Sequence, residues 1–231
     1  MQPQPDTEPK TTELECTIPV PGPANIIGDL VMPPNPRALV IFAHGSGSGR
    51  KSPRNRSVAA TLQGSGFGTL MLDLLTDPEE QVDLQTREYR FDIDHLALRL
   101  VATRRWLAGE LPGMRVGFFG ASTGAAAALL AAAWAPEGVF AVVSRGGRPD
   151  LAGTALRLVR APTLLLVGSL DEQVLRLNEE ARAKMTTTVA LEVIVGATHL
   201  FEEPGTLEQV SRRAADWFDR FAPRVKHPGV H

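Results

Sequence analysis

The sequence predicts an α/β fold: a mostly parallel, eight-stranded sheet with helices on both faces. Three observations carry this. From residue 38 onward, short apolar runs of strand length alternate with stretches of helical length, which is the pattern of a parallel sheet. Ahead of them, two further strand candidates are separated by the turn signal PGPA, which predicts an antiparallel pair at the N-terminal side. The chain has 231 residues, of which 43% are hydrophobic, enough for one domain with a sizeable core.

The elements follow in order. Nine of the 18 prolines fall in residues 1–36, and residues 1–13 are expected to be a disordered lead-in. The antiparallel pair is expected over 14–20 (LECTIPV) and 25–32 (NIIGDLVM). Buried strands are expected over 38–44, 68–74, 114–120, 138–144, 162–168 and 189–196, with helices near 54–64, 92–109, 122–134, 173–185 and 205–221. The stretch 76–91 is charged and without clear periodicity; it is expected to be a surface excursion or a partial cover, not a separate lid domain. The folded domain is therefore placed at 14–222 and a flexible tail at 223–231.

Composition excludes several classes. Lys and Arg number 24 against 26 Asp and Glu, a formal charge of -2, which argues against a general binder of nucleic acid or membrane surfaces. Cys16 is the single cysteine, so neither a disulfide scaffold nor a cysteine metal cluster can form within the chain. The start, MQPQPDTEPK, is polar and acidic, unlike a targeting segment. The longest apolar run, residues 125–135, is too short to cross a bilayer, which needs about 20 residues. A soluble, cytoplasmic protein is expected.

In a parallel sheet the reactive residues gather at the carboxyl ends of the strands. After the strand MRVGFFG comes Gly120-Ala121-Ser122-Thr123-Gly124 and then a helix. G-x-S-x-G between strand and helix lifts a serine hydroxyl above the sheet on a sharp turn, and the glycines leave room for the crowded backbone. A serine needs a base to become a nucleophile. Of the histidines 44, 95, 199, 227 and 231, only His199 lies directly after the last strand. The imidazole in turn needs a carboxylate to hold its tautomer. Asp171 follows the strand PTLLLVG, where it could equally serve as a helix N-cap, and Glu172 is its neighbour. The order Ser122, Asp171, His199 is the one expected for a hydrolase triad on such a sheet. The Gly-rich turn 45–49 after the first parallel strand suits an oxyanion hole, with the backbone N–H groups of Ser46 and Thr123 as donors. His44 is expected to brace this turn.

These residues resemble the α/β-hydrolase superfamily, and within it the dienelactone-hydrolase-like branch. The resemblance covers about 14–222 and rests on HGSGSGRKSPRNR (44–56), DLLT (73–76), GASTG (120–124), SRGGRPDL (144–151), VGSLDEQV (167–174) and GATHLFEEPG (196–205). Several of these pieces are similar to a subgroup sometimes fused to a phosphoribosyltransferase domain, for which this chain has no room. The resemblance implies a Ser-His-Asp triad and hydrolysis of esters or related acyl compounds. Triad chemistry needs no cofactor or metal, and no H-E-x-x-H motif is present; the expected partner is a small-molecule ester, not nucleic acid or membrane. Dienelactone hydrolase itself uses a cysteine nucleophile, where this chain has Ser122. Many lipases have His where this chain has Ala121.

Two other readings compete. Residues 45–52 nearly spell a phosphate-binding loop, G-x-x-x-x-G-K-[ST], followed by an Asp73 strand, but Arg50 stands at the second required glycine. A catalytically inactive hydrolase scaffold used for binding is the other. Finally, Arg50, Lys51, Arg54 and Arg56 crowd the segment after the oxyanion turn, and Arg145 and Arg148 follow the strand GVFAVVS. Arg50, Arg54, Arg145 and Arg148 are the candidates for binding an anionic substrate; the alternative is that they are solvated or paired with nearby carboxylates.

Overall fold

A computed structural model describes residues 10–223. Strand β1 (Thr12–Val20) and strand β2 (Ala24–Met32) form the antiparallel hairpin, closed at Gly22, which takes a φ of 86°. Strands β3 (Leu39–Ala43), β4 (Gly68–Leu72), β5 (Val116–Ala121), β6 (Val139–Arg145), β7 (Thr163–Gly168) and β8 (Val189–Ile194) run parallel to one another. The eight strands form one sheet in the order β1-β2-β4-β3-β5-β6-β7-β8, in which β2 joins β4 antiparallel.

Strand residues alternate between two cores, one on each face. Leu39, Ile41, Leu70 and Phe118 pack on one side with helices α3 (Ile93–Glu110), α4 (Thr123–Trp134) and α5 (Glu172–Lys184). Val40, Phe42, Met71 and Phe119 pack on the other with α1 (Pro53–Gly64) and α6 (Thr206–Phe221). Because both faces are covered, the central strands are apolar at nearly every position, and this is why they read as continuous runs.

The stretch 76–91 holds an element that periodicity did not predict. It forms helix α2 (Asp77–Thr86), followed by a 3-10 turn at Tyr89–Phe91. Thr76 caps α2: its hydroxyl accepts from Glu79 N–H at 3.4 Å, and the Glu79 carboxylate accepts from Thr76 N–H at 2.8 Å. A 3-10 segment, Pro149–Leu158, was likewise not predicted. Strand β1 starts two residues before the expected boundary at 14. Most of the expected lead-in and tail, 1–9 and 224–231, lies outside the described residues.

Candidate active site

The parallel register brings the carboxyl ends of β3, β5, β6, β7 and β8 to one edge. Ala43 lies opposite Gly120, Ala121 opposite Arg145, and Gly168 opposite Ile194.

Ser122 links β5 to α4 with φ 53° and ψ -121°. A residue with a Cβ rarely holds this conformation, and it persists only where the surroundings enforce it. Here they do. Ser122 N–H donates to Arg145 O at 3.2 Å, and Ser122 O accepts from Ala125 N–H and Arg148 N–H, each at 3.1 Å. A Cβ on Gly124 would collide with the carbonyl oxygens of Ala43 and His44, and one on Gly120 would lie 2.7 Å from the Ala125 nitrogen. Both glycines of the motif are thus fixed by backbone crowding.

Asp171 and His199 meet across β7 and β8. His199 Nδ1 lies 2.6 Å from Asp171 Oδ2. Beside a carboxylate that nitrogen carries the proton, which leaves Nε2 as the basic nitrogen. The meeting is arranged by backbone: Leu170 N–H donates to Ala197 O at 2.9 Å, and the missing side chain of Gly168 lets the Ala197–Thr198 carbonyls close over it. Asp171 does stand at the N-cap position of α5, yet its side chain makes no cap bond. The carboxylate is committed to His199 instead. Glu172 is 81% exposed and turns to Arg176, away from the ring.

Ser122 and His199 line one cavity of about 210 Å³, together with Gly45, Ser46, Arg54, Asn55 and Arg145. Among the described residues no hydrogen bond joins the Ser122 hydroxyl to the imidazole. Such bonds are often loose without substrate and tighten in the reacting complex.

The turn after β3 passes directly over the elbow. A Cβ on Gly45 would sit 3.0 Å from the Ser122 Cβ and 3.2 Å from Ala121 O, tighter than ordinary contacts, so glycine eases this approach. Thr123 is the first residue of α4, where a backbone N–H has no partner within the helix. Ser46, expected to offer a free N–H, instead donates it to Thr123 Oγ1 at 3.0 Å. The two expected donors are therefore adjacent, with one engaged by the other's side chain. His44 braces the turn. Leu74 N–H donates to His44 Nε2 at 3.0 Å, so Nδ1 carries the proton and donates to Gly45 O at 2.9 Å. Burial holds its pKa below the ordinary value, although the Gly45 carbonyl and the charges of Asp73 and Glu80 pull the other way.

The four candidate arginines divide. Arg50 faces the antiparallel side of the sheet, where Glu15, Asp29 and Asp73 surround its guanidinium at 2.9–3.4 Å. Arg148 is held in a fork by Asp150, two residues on, at 2.9 and 2.8 Å. Neither lines the cavity that holds Ser122, and a nearby carboxylate pairs with each. Lys51 and Arg56 likewise bind Asp29. The same contacts undercut the phosphate-loop reading of 45–52, whose cations are already neutralised. Arg54 and Arg145, by contrast, line the Ser122 cavity. Burial, with repulsion from Arg54 added, lowers the pKa of Arg145 to about 10.

A second cavity of about 210 Å³ lies behind the oxyanion turn, beneath α2. Gly45, Ser46 and Thr123 form its floor, Leu75, Leu84 and Leu96 contribute apolar wall, and Asp73, Glu80, Asp83 and Arg90 make the rest polar. Sequence reasoning missed this cavity because it missed α2.

No family model matches the chain. A dienelactone hydrolase from Anabaena variabilis is 50% identical, and its crystal structure superposes with a TM-score of 0.90 over 93% of this chain and 100% of that one. Two Mycobacterium tuberculosis proteins, each named "Putative phosphoribosyl transferase", are 56% identical over 201 residues, which is 86% of this chain and 44% of theirs. The chain thus spans less than half the length of these curated relatives. Est1E from Butyrivibrio proteoclasticus shares the fold at 18% identity, with a TM-score of 0.73 over 89% of this chain and 98% of that one.

Proposed function

The chain belongs to the α/β-hydrolase superfamily, in its dienelactone-hydrolase-like branch, and we propose that it is a serine hydrolase cleaving short-chain carboxylic esters or related acyl compounds. One observation carries the reading: a strained Ser122 shares a cavity with His199, whose far nitrogen is held by Asp171 at 2.6 Å. A strained serine, an oriented imidazole and an uncapped helix carboxylate at the same strand ends are what such catalysis requires.

The mechanism follows from these groups. His199 Nε2 takes the hydroxyl proton of Ser122 as its oxygen attacks the acyl carbonyl. Asp171 stabilises the imidazolium. The oxyanion is held by Thr123 N–H and by Ser46 N–H, which turns from the Thr123 hydroxyl to a stronger, charged acceptor. The leaving alcohol departs with the proton from His199. Water, deprotonated by the same ring, then releases the acid. These groups complete the chemistry without a cofactor. The phosphoribosyl transferase in the name of the longer relatives belongs, in this reading, to the part of their length that this chain does not match.

The short-chain preference is supported by the small apolar part of the cavity beneath α2, Leu75, Leu84 and Leu96. With about 210 Å³ the cavity covers a few methylenes. Each buried CH₂ contributes about 0.8 kcal/mol only where wall surrounds it. Rates should peak for acyl groups of roughly two to six carbons and fall beyond, since longer chains gain no further burial. The test is labelling with a fluorophosphonate probe, followed by turnover of acetate, butyrate, octanoate and palmitate p-nitrophenyl esters. Label at Ser122, lost in Ser122→Ala with at least about a 10³-fold fall in kcat, is the expected result. An unlabelled, folded protein would favour the inactive-scaffold reading, and a palmitate optimum would remove the short-chain preference.

A further inference from the structure

We infer that Arg145, Arg54 and Asn55 form a subsite beside Ser122 for a compact oxyanion, a carboxylate or a phosphate carried by the substrate. The inference rests on the serine-hydrolase reading for its place in turnover, though not for the binding itself.

Arg145 ends β6 directly beside the elbow strand and is only 7% exposed. Buried guanidinium groups are strongly unfavourable unless paired. Among the described residues no carboxylate lies within ion-pair distance of Arg145, and its Nη1 has no hydrogen-bond partner. An apolar side chain at the end of β6 would pack without that cost. The position is therefore accounted for by something the site receives, not by the fold.

Two neighbours in the same cavity show the same deficit. Arg54 is anchored from outside, where Nη1 donates to Glu202 at 2.9 Å, yet its buried Nε has no partner. Asn55 is 1% exposed, and its amide oxygen also has no partner. A carboxamide can present either end, so rotation of Asn55 would offer Nδ2 as a third donor. Arg145, Arg54 and Asn55 thus hold three unmatched polar atoms around one small space, and Ser122 and His199 form another wall of that space. Glu202 offsets the charge of Arg54 from outside, so Arg145 is the uncompensated cation beside Ser122, and its unmatched charge attracts an anion. The planar fork of arginine matches carboxylate and phosphate equally.

The test has a binding arm and a turnover arm. In the binding arm, calorimetry on Ser122→Ala measures inorganic phosphate and succinate separately, so the preferred ion identifies the group. Binding of at least one, weakened at least tenfold by adding Arg145→Gln, is expected. In the turnover arm, 3-acetoxypropionate and 2-acetoxyethyl phosphate are compared with the neutral 3-acetoxypropionamide. At least one anionic ester should exceed the amide in kcat/KM by tenfold or more, and Arg145→Gln should collapse that ratio. Arg105→Gln, on the exposed side of α3, should leave the ratio unchanged. Absence of binding by both ions overturns the subsite, as does an anionic preference that survives Arg145→Gln. If ions bind through Arg145 but no ester turns over, the subsite stands and the hydrolase reading fails.

Discussion

Ser46 N–H donates to Thr123 Oγ1 across 3.0 Å, tying the turn after β3 to the first residue behind the nucleophile. The tie keeps the Ser46 amide directed toward Thr123, next to the unpaired N–H at the start of α4. Gly45 precedes Ser46 and resists peptide rotation only weakly. Thr123→Val removes the tie at nearly constant shape. It should lower kcat about 3- to 10-fold with KM little changed, a fraction of the 10²–10³ that loss of a whole oxyanion donor costs. Thr123→Ser should restore the rate. A faster Thr123→Val enzyme would mean that the hydroxyl competes for the donor instead of aiming it.

Asp171→Asn should leave the loop geometry intact but favour the wrong tautomer of His199, at a cost of about 10³–10⁴ in kcat. Glu172→Gln should cost little, since Glu172 points to Arg176 in solvent. Steady-state kinetics on a short p-nitrophenyl ester, with circular dichroism to verify folding, distinguishes the two. The reverse ranking would transfer the carboxylate role to Glu172.

Gly168→Ala tests how the two loops are brought together. The new methyl would lie 2.7 Å from Thr198 O, and closer still to the Ala197 carbonyl. The loop carrying His199 must then move away from β7. Overpacking of this kind costs about 1–3 kcal/mol, to be read from urea denaturation. The same displacement lengthens the His199–Asp171 bond, so kcat should fall together with stability. A stability loss with unchanged kcat would show that the histidine loop adjusts independently.

His44 predicts a pH dependence. Its folded pKa is depressed, so the unfolded chain binds the proton more readily. Its contribution to stability is therefore complete above its ordinary value of 6.5 and is lost as pH falls through the folded value. Protonation would set an N–H against Leu74 N–H, which now donates to Nε2. The urea midpoint should drop between pH 7.5 and 5.5, and His44→Asn should be less stable at pH 7.5 but flatter across that range. Equal slopes would assign the acid sensitivity to other groups.

The sheet was legible because burial on both faces makes its strands continuously apolar, and the elbow because Gly120 and Gly124 are fixed by backbone crowding. Helix α2 was not legible by periodicity: Asp83 is the buried residue it contributes, and apolar Leu84 remains exposed. Its start was nonetheless written in Thr76-x-x-Glu79 with Pro78, a capping signature that needs no apolar stripe. The arginines were legible as a group and not as individuals. Which of them faces Ser122 depends on where Glu15, Asp29, Asp73 and Asp150 fall in space, and spacing along the chain does not encode that.

Helix α4 has a consequence for how this protein can vary. Its first ten residues, from Thr123 to Ala132, are all buried, and most are alanine. A methyl group added to them has no solvent to enter, so the helix must shift as a body and carry Ser122 with it. Random substitution should therefore meet a sharp contrast. Conservative exchanges such as alanine to valine should be rejected throughout the front of α4, where even small changes in volume become errors of aim. Radical exchanges should pass on α5, which presents Glu179, Glu180, Arg182 and Lys184 to water. New sequence can accumulate around this centre, but hardly at all in the helix that carries it.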